Sequence, residues 1–158
     1  MKIQRAKVYS GITLASLGVS LLNLPLFVLG LLVMVTSRKA FNPMEKDSIY
    51  RPETQRDTAL ILLILALLEG ITGFGAGPQT SSIINELTLG LLTRGLSLEL
   101  HLILIAPLSF FFVLHSLSGL GNLLLRKGVK NVLVYKLILP LLMLTLFSIA
   151  FYLDTLYF

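Results

Sequence analysis

The hydrophobic positions of this chain gather into four long runs, at about residues 8–36, 58–77, 96–125 and 132–152. A helix crossing the apolar core of a bilayer takes about 20 residues, and each run reaches that length. The pattern predicts an all-α integral membrane protein, a bundle of four transmembrane helices in one domain over residues 1–158. The first run follows Lys2, Arg5 and Lys7, as a signal peptide follows its basic start. It far exceeds the roughly 7–15 apolar residues of such a segment, so a retained helix is expected.

Between the first two runs lies the one markedly polar stretch, residues 37–57, in which Pro43 and Pro52 interrupt regular structure. Residues 78–95 are less polar. Their Ile83, Ile84, Leu87, Leu91 and Leu92 recur near helical spacing and predict a short helix lying in the interface. Residues 126–131 form a tight basic turn. Pro25, Pro107 and Pro140 fall inside spans and predict kinks, while Gly73 and Gly77 make a small-residue pair suited to close helix packing.

Composition sharpens the class. Hydrophobic residues are 55% and charged residues 13%, where a soluble domain carries about 25% charged. Too little charge remains to coat a water-facing surface, so a lipid bilayer is the expected solvent and the cell membrane, crossed several times, the expected location. The chain has no cysteine, which excludes disulfides, thiolate metal sites and cysteine nucleophiles. A net charge of +5 reads as basic loops at a membrane surface, not as nucleic-acid binding. Most lysines and arginines follow the first and third runs, with Lys2, Arg5, Lys7 and Arg94 opposite. The positive-inside rule then places both termini outside, with the N-terminal trio pulling the other way.

The chain has two histidines, His101 and His115, both in the third run. At about 100° and 1.5 Å per residue they project from nearly one face, about 21 Å apart along the axis. That is too far to share one metal ion, whose bonds to nitrogen run near 2 Å. An ionisable group inside a span marks a site by default. The bland reading is hydrogen-bonding glue between helices, at about 0.6–2 kcal/mol each. Glu69 in the second run is the other buried ionisable group. Counted from Thr58 and from Arg126, Glu69 and His115 share a depth on antiparallel helices, which predicts a Glu69–His115 hydrogen bond. Such a contact would orient an imidazole, pass a proton, or act as a structural clamp.

Two histidines with thirteen residues between them on one helix resemble the ligand helices of membrane cytochromes b. The segment Glu69-Gly-Ile-Thr-Gly-Phe is similar to the Thr-Gly-Phe or Thr-Gly-Tyr ending of small cytochrome b subunits, as are Gly90-Leu-Leu-Thr-Arg94 before His101 and His115-Ser-Leu-Ser-Gly119. The likeness spans about residues 56–127. It implies haem b, electron transport and quinone as a partner, with His101 and His115 as iron ligands. It further implies close approach of the macrocycle at Gly119, walls from Leu108, Phe111 and Phe112, and propionates paired with Arg94 and Arg126. The family supplies four histidines and this chain two. A homodimer, another membrane subunit, or a methionine such as Met34 or Met143 would have to complete the ligand set. The chain would then be at most an electron-transfer subunit of an oxidoreductase. The competing classes are a cofactor-free structural subunit of a larger membrane complex and a small proton-coupled transporter working through Glu69.

Overall fold

The first apolar run does not form one helix. The structure, a computed structural model describing residues 3–156, divides it into α1 (Ile3–Ser20) and α2 (Leu24–Val35). Leu22 takes a left-handed conformation with φ 49°. Asn23 N–H then reaches back to the Gly18 carbonyl and Leu22 N–H to Val19, which is the Schellman closure of a helix. Asn23 also opens α2, its side-chain oxygen accepting from Leu26 N–H at 3.0 Å. Pro25 follows in the first turn, where its missing N–H is no loss. This proline starts a helix and does not kink one.

The two helices fold back on each other through small residues. A Cβ on Gly18 would lie 2.3 Å from Phe27 N, and one on Gly30 would lie 2.3 Å from Ala15 N. Gly11 takes the Met34 side chain in the same way. Within lipid, such close backbone approach replaces the hydrophobic drive that packs helices in water. Val8, Ile12, Ala15 and Val19 of α1 are wholly buried, so α1 is the innermost helix.

After a 3₁₀ turn at Arg38–Phe41 come α3 (Pro52–Ala76), the short α4 (Ser81–Leu87), α5 (Arg94–Arg126), a π turn at Val134–Ile138 and α6 (Leu139–Thr155). The short helix expected within residues 78–95 is therefore present. Three stretches are long and apolar enough to cross a membrane, Pro52–Ala76, Arg94–Arg126 and Val134–Leu153, and α2 is a shorter apolar helix. The protein is thus all-helical among the described residues and has the apolar helices of a membrane protein. The polar stretch after α2 is packed, not loose: Ser37, Ala40, Ser48, Ile49 and Tyr50 are buried. Its Asp47 accepts from Gln4 N–H at 2.6 Å and pairs with Arg5 at 3.1 Å, so it caps the N-terminus of α1.

Pro107 and Pro140 each leave a carbonyl without its helical donor. Pro107 cannot donate to the carbonyl of Ile103, four residues earlier, and the Ser20 hydroxyl at the end of α1 takes that carbonyl at 2.7 Å. In the π turn Leu139 N–H bonds to Val134 O. The next bond in that register would run from residue 140 to Tyr135 O, and proline has no N–H to give. The Tyr50 hydroxyl fills this place at 2.7 Å, its ring packed edge-on to Tyr135 with centroids 5.2 Å apart. Burial, with the Tyr135 phenol beside it, holds the Tyr50 phenol above its usual pKa, so it remains a donor.

Ser20→Ala leaves the Ile103 carbonyl buried and unsatisfied, at a cost of about 1–3 kcal/mol. In Pro107→Ala protein the helix supplies its own N–H, and the same Ser20→Ala change then costs less. Circular dichroism melts of the four proteins in detergent give this cycle, and equal losses in both backgrounds would refute the assignment.

Candidate functional site: the histidine contacts between α3 and α5

Helices α3 and α5 lie antiparallel, and every polar side chain that the sequence singles out inside a span sits between them. Pro52 opens α3, with Glu53 in the first turn. The helix therefore begins about six residues before the apolar run, and this moves the register. Glu69 meets His101, not His115: His101 Nδ1 lies 3.2 Å from Glu69 Oε1 and 3.3 Å from the Glu69 carbonyl oxygen. The expected Glu69–His115 bond is corrected accordingly. Counting from Thr58 started α3 six residues late, and α5 also runs past the start of α3: Tyr50, just before it, packs on Gly121, five residues short of Arg126.

His115 instead faces Thr58, with Nδ1 2.8 Å from Thr58 Oγ1. One turn away Gln55 donates to the His115 carbonyl at 3.1 Å and to Ser118 Oγ at 2.5 Å. Gln55, Thr58, Ser97 and Ser118 were not singled out by the sequence reading. Of these, Thr58 has a signal, a stripe in which Thr54, Thr58, Ile61, Leu65, Glu69, Thr72 and Gly75 recur at three- and four-residue spacing along the inner face of α3. That stripe becomes legible only once the helix is extended back to Pro52.

The hydrogen bonds fix the His101 tautomer and indicate that of His115. A backbone carbonyl oxygen only accepts, so the His101 nitrogen facing Glu69 O carries the proton. Thr58 spends its own proton on the Thr54 carbonyl at 2.7 Å, so its oxygen accepts from His115 Nδ1–H. In the neutral rings this leaves both Nε2 atoms as bare lone-pair nitrogens. Neither has a hydrogen-bond partner among the described residues, and neither is among the buried unpartnered atoms. Both histidine side chains are half-buried, and neither Nε2 is sealed in the core.

The other residues expected at a haem divide. Arg94 donates from Nε to the Ala76 carbonyl at 3.2 Å, which ties it to the C-terminus of α3, at the His101 end of the pair. Arg126 is exposed at the far end of α5. Gly119 and Gly121 are not open ground for a macrocycle: Gln55 covers the first, the Tyr50 ring the second. Gly73 receives the His101 imidazole, and Gly77 lies under Thr80 instead of pairing with Gly73 in a helix contact. Phe111 is buried in the core, whereas Phe112 is 61% exposed, so the two do not wall one space. Met34 and Met143 lie between α2 and α6, where they line a groove away from either histidine. They are not axial ligands within this chain.

The donor set thus fits haem in part. Each imidazole has the Nδ1-held, Nε2-free form that metal-ligating histidines take, and the chain offers one such nitrogen per iron. No group of three metal-ligating side chains occurs among the described residues. Near His101 two further polar atoms, Glu69 Oε2 and Ser97 Oγ, are buried without partners. No family model, curated protein or solved structure matches the chain.

Thr58→Val keeps the shape of residue 58 and removes the acceptor for His115. Loss of about 1 kcal/mol of stability is expected, the scale of a hydrogen bond between membrane helices. Chemical-denaturant titration in detergent measures it. An unchanged midpoint would mean that His115 is not held by α3.

Proposed function

We propose that this protein is a membrane-embedded b-type cytochrome subunit whose haem sites are completed by a second chain. One observation supports this reading above the others. Each histidine has Nδ1 held by α3, and Nε2 of each has no hydrogen-bond partner among the described residues. Haem would supply one-electron chemistry between the two levels of the membrane. Within this chain, Glu69 and Thr58 set the direction of each imidazole, and Gly73, Gly75 and Gly119 let α3 and α5 come close enough to do so. The second chain is another copy about a two-fold axis, or a different membrane subunit. The resemblance over residues 56–127 adds quinone as the redox partner.

Protein purified from haem-replete cells should show a Soret band and a reduced α band of haem b. His101→Ala and His115→Ala should each remove about half of the absorbance, since one ligand serves each haem. A colourless preparation overturns the proposal. The reading that then takes over is a cofactor-free subunit of a larger complex, in which both histidines clamp α3 to α5. The occupation of Gly73 and Gly119 by His101 and Gln55 already favours it.

The fold also suggests a topology different from four crossings with both termini outside. The α1–α2 hairpin returns to the end from which it starts, and Ser20 beside its tip reaches only to Ile103, part-way along α5. Three helices then cross and the hairpin enters without crossing. Every described lysine and arginine except Arg94 lies at the end where α1, α3 and α6 begin. Lys2 lies outside the described residues. Arg5 and Lys7 no longer oppose the rule, so this end faces the cytoplasm and the end of α6 lies outside. The chain lacks cysteine, which suits single-cysteine labelling. In intact cells an impermeant maleimide should label Leu89→Cys and spare Lys130→Cys, and the reverse pattern would invert the orientation.

A further inference from the structure

We infer a binding groove for one anionic lipid between α2 and α6, distinct from the histidine contacts. It has a volume of about 530 Å³. Met34, Met143 and Phe147 form its buried floor. Leu137, Leu141 and Leu144 line its α6 side, and about half or more of each remains exposed. Two cations, Arg38 and Lys136, lie at one end. No salt bridge or hydrogen bond to a side chain engages either among the described residues.

Three features commit the groove to a lipid with an anionic headgroup. The first is the layout of charge. Arg38 and Lys136 sit where α2 ends and α6 begins, at the cationic end of the molecule, and the groove is otherwise apolar from there inward. From Lys136 to Phe147 it follows α6 for about 16 Å, about half of a 30 Å hydrocarbon core and so the depth of one leaflet. An acyl chain has that length and a phosphate would lie against the two cations.

The second is that the fold builds this space. The hairpin helix α2 has 12 residues, or about 18 Å, and cannot cover α6 along its whole length. The π turn at Val134–Ile138 carries Lys136 and Leu137, and Pro140 follows at once. π turns are uncommon and concentrate at functional sites. Here the local widening sets Lys136 beside Arg38.

The third is exclusion by charge. A second copy of this chain docked by a two-fold axis through the groove would bring Arg38 and Lys136 against their own counterparts with no acid in the groove to offset them. A neutral amphiphile such as a quinone has no use for two unpaired cations. An anionic lipid satisfies both the apolar wall and the charge.

Native mass spectrometry of the full-length protein in mild detergent, titrated with phosphatidylglycerol or phosphatidylcholine of matched chains, tests the assignment. One phosphatidylglycerol per chain should bind in preference to phosphatidylcholine. Arg38→Gln/Lys136→Gln should weaken phosphatidylglycerol about 30-fold, the effect expected of two basic residues at an anionic surface. Leu141→Trp, which fills the apolar groove without touching charge, should weaken both lipids. Lys127→Gln/Lys130→Gln, at the same end but off the groove, should leave phosphatidylglycerol binding unchanged. Equal binding of the two lipids to the native chain overturns the proposal. So does retention of full affinity in either groove variant, or an equal loss in the Lys127/Lys130 control, which would mean general attraction to the basic end. Because no haem is read in this experiment, its outcome is independent of the cytochrome reading.

Discussion

A carbonyl oxygen inside a bilayer must find a donor, because no water is there to serve as one. Two prolines in this chain each free such an oxygen, and the tertiary structure is arranged around the two hydroxyls that take them. Ser20 reaches Ile103 O across from α1, and Tyr50 reaches Tyr135 O from the connection before α3. The first bond fixes how far the α1–α2 hairpin penetrates beside α5. The second ties the connection to the start of α6 and seats the Tyr50 ring on Gly121 of α5. Residues that would ordinarily be read as helix defects therefore act as addresses for other elements.

With those elements anchored, the pairing of α3 with α5 is set, and with it the surroundings of both histidines. In register, Gln55 meets Ser118, Thr58 meets His115, Glu69 meets His101 and Ser97 lies against Gly75. A slip of one turn would leave these groups facing hydrocarbon, where each unsatisfied polar group costs several kcal/mol in order of magnitude. The same contacts that make the histidines good glue also set their tautomers and free their Nε2 atoms. Structural and functional readings of these residues are consequently not exclusive. A ligand imidazole needs the orientation that a clamp provides, and what separates the readings is whether anything binds at Nε2.

The two ends of the molecule differ in kind. At one end Asp47 and Asp57 draw Arg5 into the packed connection, and the remaining cations surround it with few partners. At the other end α4 and the residues after it expose Leu87, Leu89 and Leu91 almost without charge. This polarity gives the protein an orientation in the membrane and leaves Arg38 and Lys136 available at the edge of an apolar groove. The hairpin causes both effects, since it returns the end of α2 to the basic end from which α1 starts and leaves α6 partly uncovered.

Composition and run length alone determined that this is a helical membrane protein, that α3, α5 and α6 have the length and apolarity to cross, and that His101, His115 and Glu69 are the buried groups to examine. These follow from what lipid requires of any chain, whatever its partners. The break at residues 21–23 was legible in part. Asn23 followed by Pro25 is a helix start, but the apolar residues around it mask the turn, because lipid-facing turns and helices use the same leucines. The partners of the histidines were not legible. Pairing depends on where α3 begins and on how far α5 runs past it; Pro52 to Asp57 read as loop by polarity although they are helix by geometry, and the overshoot of α5 leaves no mark in the sequence. The groove and the gathering of cations at one end were decided by the tertiary structure alone. Each rests on the direction in which α2 returns, and that is set by contacts between Gly18, Gly30 and their neighbours that no single run of sequence contains.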